Sequence, residues 1–177
     1  MDQVKETVFN ETHATFGWLS NMSAHPVRCE GKAYKTAEHL FQCLRFEGKP
    51  DVVFDNPDES KSFITPAQVQ REILEQPSPL MAKDVAKKYR KYFITTKEED
   101  IQIMRKVVRL KLIQNPMFVR NLIHTEGDII EDSSNRRKGS GLFWGAAKMP
   151  DGEWVGDNNL GKIWMELRAE LKAVLII

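Results

Sequence analysis

The chain has 177 residues, 41% of them hydrophobic, with 26 basic and 25 acidic side chains and a formal net charge of +1. That length suits one domain and can bury a sizeable core, while basic residues spread evenly along a near-neutral chain argue against a DNA-binding domain driven by phosphate contacts. No basic-plus-apolar leader opens the chain and no apolar run approaches a membrane span, so the expectation is a soluble cytoplasmic protein with no membrane partner. Cys29 and Cys43 belong to no CxxC or Cys/His cluster and read as reduced core thiols.

In chain order, the first 35 residues alternate or break at Gly and Pro. Val27-Arg28-Cys29 and Lys32-Ala33-Tyr34 flank Glu30-Gly31, a two-residue hairpin signal. Thr36 can cap a helix whose apolar positions Ala37, Leu40, Phe41 and Leu44 recur at helical spacing. Residues 47–64 are polar and turn-rich and read as a surface loop or insertion. Thr65-Pro66-Ala67-Gln68 and Thr96-Lys97-Glu98-Glu99 are capping boxes, and Ser78-Pro79 starts a helix between them. The helix from Thr96 runs to about Gln114, and Asn115-Pro116 begins a short one ending near Gly127. Ile129-Ile130 reads as a brief strand, and Ser133 to Gly141 as a polar, basic loop. A last helix carries the stripe Leu160, Ile163, Trp164, Leu167, Leu171 and Val174. The expected fold is mainly α (α+β): a single domain over 1–177 of packed helices with a small antiparallel β element near the start.

Three segments combine aromatic bulk with polar groups that a plain core would not hold. They are Phe16-Gly17-Trp18-Leu19-Ser20-Asn21, Thr36-Ala37-Glu38-His39-Leu40-Phe41-Gln42, and the run from Phe143-Trp144-Gly145 to Asn158-Asn159-Leu160-Gly161. An aromatic face, close backbone at Gly and an amide suit the wall of a pocket for a ring-bearing, nucleotide-like ligand. Glu38, in a first helical turn, is either an exposed carboxylate that favours the helix dipole or an acid/base. Lys111 shares a helix face with Met104, Val107 and Val108. There it either snorkels to water or, desolvated, becomes a nucleophilic amine. Trp18 and Trp144 are each either core or ligand platform, and Asn158 is an N-cap candidate compatible with a ligand contact. His39 and His124 have no partner at metal-ligand spacing, so no metal is expected. The Lys87–Lys91 run reads as a solvated helix face.

Taken together these segments resemble the NADAR family, also called YbiA-like. The resemblance runs through Phe16-Gly17-x-Leu19-Ser20-Asn21, Thr36-Ala37-Glu38-His39 with Phe41-Gln42, Ser78-Pro79-x-x-Ala82-Lys83 and Arg109-Leu110-Lys111-Leu112. It continues through Ile130-Glu131, Phe143-Trp144-Gly145, Asn158-x-Leu160-Gly161 and Met165-Glu166-x-Arg168. It implies hydrolysis of an N-glycosidic bond without a cofactor, on a ribosylaminopyrimidine phosphate of riboflavin synthesis or on ADP-ribose attached to guanine, the latter including contact with modified nucleic acid. The site it implies has Glu38, Lys111 and Glu131 as catalytic groups. Phe16, Gly17, Ser20, Asn21, Trp144, Gly145, Asn158 and Gly161 would bind substrate. The rival expectation is a catalytically silent nucleotide or ADP-ribose binding module. Many relatives carry an acid three positions before the Trp-Gly pair. Here that position is Gly141, which leaves the role vacant or passes it to another group such as Glu131 or Asp132. Arg45 stands where some members have a lysine, as in another branch of the family.

Overall fold

A computed structural model describes residues 6–58 and 60–175. The capping signals act as expected. Thr36, Thr65 and Ser78 accept from the backbone N–H groups of His39, Gln68 and Met81 at the starts of helices α1 (Ala37–Leu44), α2 (Pro66–Glu75) and α3 (Pro79–Tyr89). Ahead of α4 (Lys97–Ile113) the box is reciprocal: Glu99 N–H donates to Thr96 Oγ1 at 3.1 Å, and Thr96 N–H to Glu99 Oε2 at 2.7 Å. Each such cap contributes about 1 kcal/mol by pairing amide donors that a helix start leaves orphaned. Pro116 opens α5 (Pro116–Ile123), a short α6 covers Gly141–Trp144, and α7 runs Asn159–Leu175.

The strands come in pairs. β1 (Thr7–Phe9) lies parallel to β6 (Ile129–Glu131), with Val8 opposite Ile130. β2 (Val27–Cys29) and β3 (Lys32–Tyr34) form the expected hairpin, closed by Glu30 at φ 50° and Gly31 at φ 78°, the two positive values that a type I′ turn requires. The segment expected to be a loop contains a hairpin instead, β4 (Val52–Asp55) against β5 (Lys61–Ile64). Its alternation is masked in the sequence because the exposed face carries large apolar residues, Val53 opposite Phe63. β7 (Ala147–Lys148) pairs with β8 (Trp154–Val155).

The elements group into two compact units, one spanning Ala24–Val107 and one made of the chain up to Ser23 together with the chain from Val108 onward. In the first, α1, α2 and α3 pack on one another and β2 and β3 pack on α1, around Leu40, Phe41, Val69, Ile73, Ala82 and Ala86. In the second, α7 packs on β6, α5 and α6. Its stripe is buried from Leu160 through Ile163 and Trp164 to Leu167, each such side chain adding about 1.5–3 kcal/mol of apolar burial. The stripe ends earlier than its periodicity suggested, since Val174 is exposed. Cys29 and Cys43 are buried free thiols, and burial raises the thiol pKa of both. Among the described residues no helix is long and apolar enough to cross a membrane.

Candidate active site

In the Ala24–Val107 unit, all eight residues of α1 are buried, including Glu38, His39 and Gln42. Glu38 is only 5% exposed, so it is not the solvated first-turn carboxylate that spacing alone favours. A buried carboxylate needs partners, and α1 supplies one at the next turn: Gln42 Nε2 donates to Glu38 Oε1 at 2.7 Å. Gln42 is itself approached by Arg45, whose Nη1 lies 3.5 Å from its Oε1. Arg45 is anchored by Asp100, with Nε 2.8 Å from Oδ1 and Nη2 2.9 Å from Oδ2, a two-pronged ion pair. Thr95 Oγ1 accepts from Arg45 Nη2 at 2.9 Å and donates to Asp100 Oδ1 at 2.8 Å. The chain Asp100–Arg45–Gln42 thus ends on one oxygen of Glu38. Among the described residues Glu38 Oε2 accepts no hydrogen bond.

His39 is a core residue. Its Nε2–H donates to the Gln76 carbonyl at 3.2 Å, while Nδ1 lies 2.9 Å from Thr36 Oγ1. Burial lowers its pKa, so the neutral ring is favoured. Among the described residues no three His, Cys, Asp or Glu side chains are grouped to hold a metal ion.

The remaining expected site residues lie in the other unit, in two groups that share α7. The first surrounds Lys111. It is fully buried rather than snorkelling, and Nζ donates to the Ser20 carbonyl at 2.7 Å and to Ser23 Oγ at 2.8 Å. Burial pushes its pKa down to about 7. Lys111 therefore ties down the turn that carries Ser20 and Asn21, both buried. Gly17 sits in the short 3₁₀ helix Gly17–Leu19, where a Cβ would run into the backbone of Glu11 and Thr12. Trp18 stacks on Phe118 at 5.0 Å and meets Trp164 edge-on at 5.5 Å, a core role. Trp164 Nε1 donates to the Leu19 carbonyl at 3.0 Å, so α7 holds this segment in place. Phe16 is half-buried and lines a cleft of about 560 Å³ with Trp18, Arg120 and His124.

The second group is a backbone junction around β6. Asn158, at φ 49°, turns its side chain onto the strand rather than capping α7: Nδ2 donates to the Ile129 carbonyl at 2.9 Å and Oδ1 accepts from Glu131 N–H at 3.2 Å. Asn158 N–H in turn donates to the Gly145 carbonyl at 3.1 Å. Gly145 and Gly161 have no room for a Cβ, because the carbonyls of Glu131 and Ile129 respectively fill that space. Glu131 is held by Arg136, with Nη2 3.0 Å from Oε1. Asp132 Oδ1 accepts from Ser134 N–H at 2.8 Å. Gly141 is closed in the same way, since a Cβ there would collide with the Arg136 carbonyl. The backbone of the 133–140 loop therefore occupies the space that an acidic side chain at this position would need. Trp144 is half-buried and meets Phe143 edge-on at 4.7 Å. None of Glu131, Trp144, Gly145 or Asn158 lines the cleft beside Phe16.

Sequence reasoning missed the Gln42–Arg45–Asp100 support of Glu38. The four-residue step from Glu38 to Gln42 was a usable signal, whereas Asp100 carried none beyond being an acid in a first helical turn.

Comparison with known proteins agrees with this architecture. Residues 8–172 match the family model of the NADAR domain. N-glycosidase YbiA of Escherichia coli K12 is 30% identical over 175 residues, covering 95% of this chain and 91% of that protein. The riboflavin biosynthesis protein VVA0006 of Vibrio vulnificus is 24% identical over 169 residues, which is 93% of this chain and 38% of that longer protein. N-glycosidase R617 of Acanthamoeba polyphaga mimivirus is 35% identical over 69 residues, 35% of this chain and 38% of that protein. The NMR structure of E. coli YbiA superposes with a TM-score of 0.69 at 25% identity, covering 99% of this chain and 90% of that one. The chain belongs to the NADAR domain family and is an enzyme of the N-glycosidase class.

Proposed function

We propose that the chain, acting as one NADAR domain, hydrolyses the C1–N bond of a phosphorylated ribosylamine, with a ribosylaminopyrimidine phosphate as the favoured substrate. The observation that carries this reading is Glu38: a buried carboxylate with one oxygen clamped by Gln42 and the other free to meet a proton. Water's oxygen bonds to C1 as the C1–N bond breaks, and its electron pair leaves with the exocyclic nitrogen. Glu38 Oε2 takes the proton of the attacking water and returns it to that nitrogen. Glu131 is proposed as the second carboxylate, oriented by Arg136. Phe16, Gly17, Ser20, Asn21, Trp144, Gly145, Asn158 and Gly161 form the proposed substrate-binding set. Within it the glycines and Asn158 shape backbone, and the aromatics supply flat apolar surface. The riboflavin link of the Vibrio relative favours the pyrimidine substrate over ADP-ribosylated guanine. A charged, phosphorylated substrate that does not cross membranes unaided supports a cytoplasmic site of reaction.

Lys111 supports a second route, in which its amine captures the opened sugar as an imine. Its lowered pKa favours the neutral nucleophile, but complete burial and two donated hydrogen bonds favour a holding role. Direct attack by water is therefore the reading adopted. Incubation with a ribosylaminopyrimidine phosphate and, separately, with ADP-ribosylated guanine nucleic acid tests it. The expected result is release of ribose 5-phosphate from the first. Release of ADP-ribose only from the second would change the substrate, and release from neither would count against both proposed substrates.

A further inference from the structure

Beside the Glu38 chain in the Ala24–Val107 unit lies a second guanidinium, Arg90, the residue that closes α3. Its Nε is buried, and among the described residues it has no hydrogen-bond partner. Arg90 contrasts with Arg45, which is paired in two prongs with Asp100 and bonded to Thr95. Burial lowers the Arg90 pKa and the like charge of Arg45 adds to this, while Asp100 and Glu38 act in the opposite direction. Both carboxylates are thus within electrostatic reach, yet neither closes onto Nε. Arg90 as a whole is half-buried, yet its guanidinium stays charged at any physiological pH, and a buried N–H donor left without a partner is costly to keep. Native proteins rarely keep such a group unless something completes it. Lys87 and Lys88 in the last turn of α3, and Lys91 just after it, are exposed and add positive potential around it. An anion with several acceptor oxygens fits this environment, and a planar donor fork matches a phosphate group.

We infer that Arg90 is an anion-binding residue that takes the phosphomonoester of the substrate in whose C1–N cleavage Glu38 moves the proton. The inference rests on the reading of the substrate as phosphorylated, but it makes a binding claim that stands apart from turnover.

The test is a titration of the intact protein with inorganic phosphate, ribose 5-phosphate and unphosphorylated ribose, following the Arg90 Nε–Hε NMR resonance. That resonance is expected to shift with both phosphates and not with ribose, and ribose 5-phosphate is expected to bind more tightly than free phosphate. Arg90→Met is expected to weaken ribose 5-phosphate binding by about tenfold or more, with Arg90→Lys in between. Because the guanidinium lacks a protein partner at Nε, Arg90→Met is also expected to melt no lower than wild type in phosphate-free buffer. An unmoved Nε–Hε resonance overturns the inference, and so does ribose 5-phosphate binding unchanged in Arg90→Met. The resonance is read on wild type, so a poorly folding variant does not block the test. An Arg90-dependent phosphate response with no hydrolysis of either glycosylamine supports the anion site while sinking the proposed reaction. Hydrolysis with no such response does the reverse.

Discussion

Helix α1 and the segment from β6 to the start of α7 fix their polar groups in opposite ways. α1 buries Glu38, His39 and Gln42 along eight residues and gives each a side-chain or carbonyl partner. The β6–α7 segment relies instead on missing side chains: Gly141, Gly145 and Gly161 admit neighbouring carbonyls where any Cβ would collide, and Asn158 ties its amide to the strand. In the first, position is set by hydrogen bonds to a buried carboxylate. In the second, it is set by backbone contact, so the cost of change falls on folding rather than on chemistry.

Breaking the support of α1 is expected to have the largest effect on stability. Arg45→Met removes one partner of a pair whose side chains are 11% and 16% exposed, leaving Asp100 uncompensated. Urea denaturation should show a loss of about 3–5 kcal/mol. In the β6–α7 segment, Gly161→Ala should cost about 1–3 kcal/mol through overpacking against the Ile129 carbonyl. Gly141→Asp, which restores the acid common among relatives, should destabilise by a similar amount and not raise turnover, because the Arg136 carbonyl occupies that space. A Gly141→Asp enzyme of normal stability and higher rate would overturn the closed-junction account.

The effect of Lys111 depends on pH. Its folded-state pKa of about 7 lies below the ordinary 10.5, so between those values the unfolded chain binds a proton that the folded chain does not. Stability should therefore rise with pH across that window relative to Lys111→Met, by at most about 1.4 kcal/mol per pH unit, and this gain should disappear as pH falls through 7. Denaturant melts of both proteins across that range measure it. Parallel curves would mean that Lys111 stays charged when folded.

Local rules made most of the helical frame legible, because caps at Thr36, Thr65, Ser78 and Thr96 are short-range chemistry written in neighbouring residues. The β4–β5 hairpin was not legible, since apolar Val53 and Phe63 on its exposed face blur the polar–apolar alternation that marks a strand. Glu38 stood out as a polar residue in an apolar helix, but its burial depends on elements packed around α1 and is invisible to spacing. Lys111 shows the same limit: its helix face suggested a core edge, whereas the Ser20 carbonyl and Ser23 hydroxyl that hold it come from some 90 residues earlier in the chain. Arg90 looked like one more member of a solvated basic run, and only the structure separates its buried Nε from the exposed lysines beside it.

The most direct test of the central claim is single-turnover hydrolysis of a ribosylaminopyrimidine phosphate by wild type and by Glu38→Gln, with borohydride present in a parallel reaction. Glutamine keeps the size and polarity of the side chain but cannot take the proton. The account predicts a fall in rate of about 10²–10⁴-fold at nearly unchanged melting temperature, with no reduced adduct on Lys111. Unchanged turnover in Glu38→Gln, or a trapped sugar on Lys111, would contradict it.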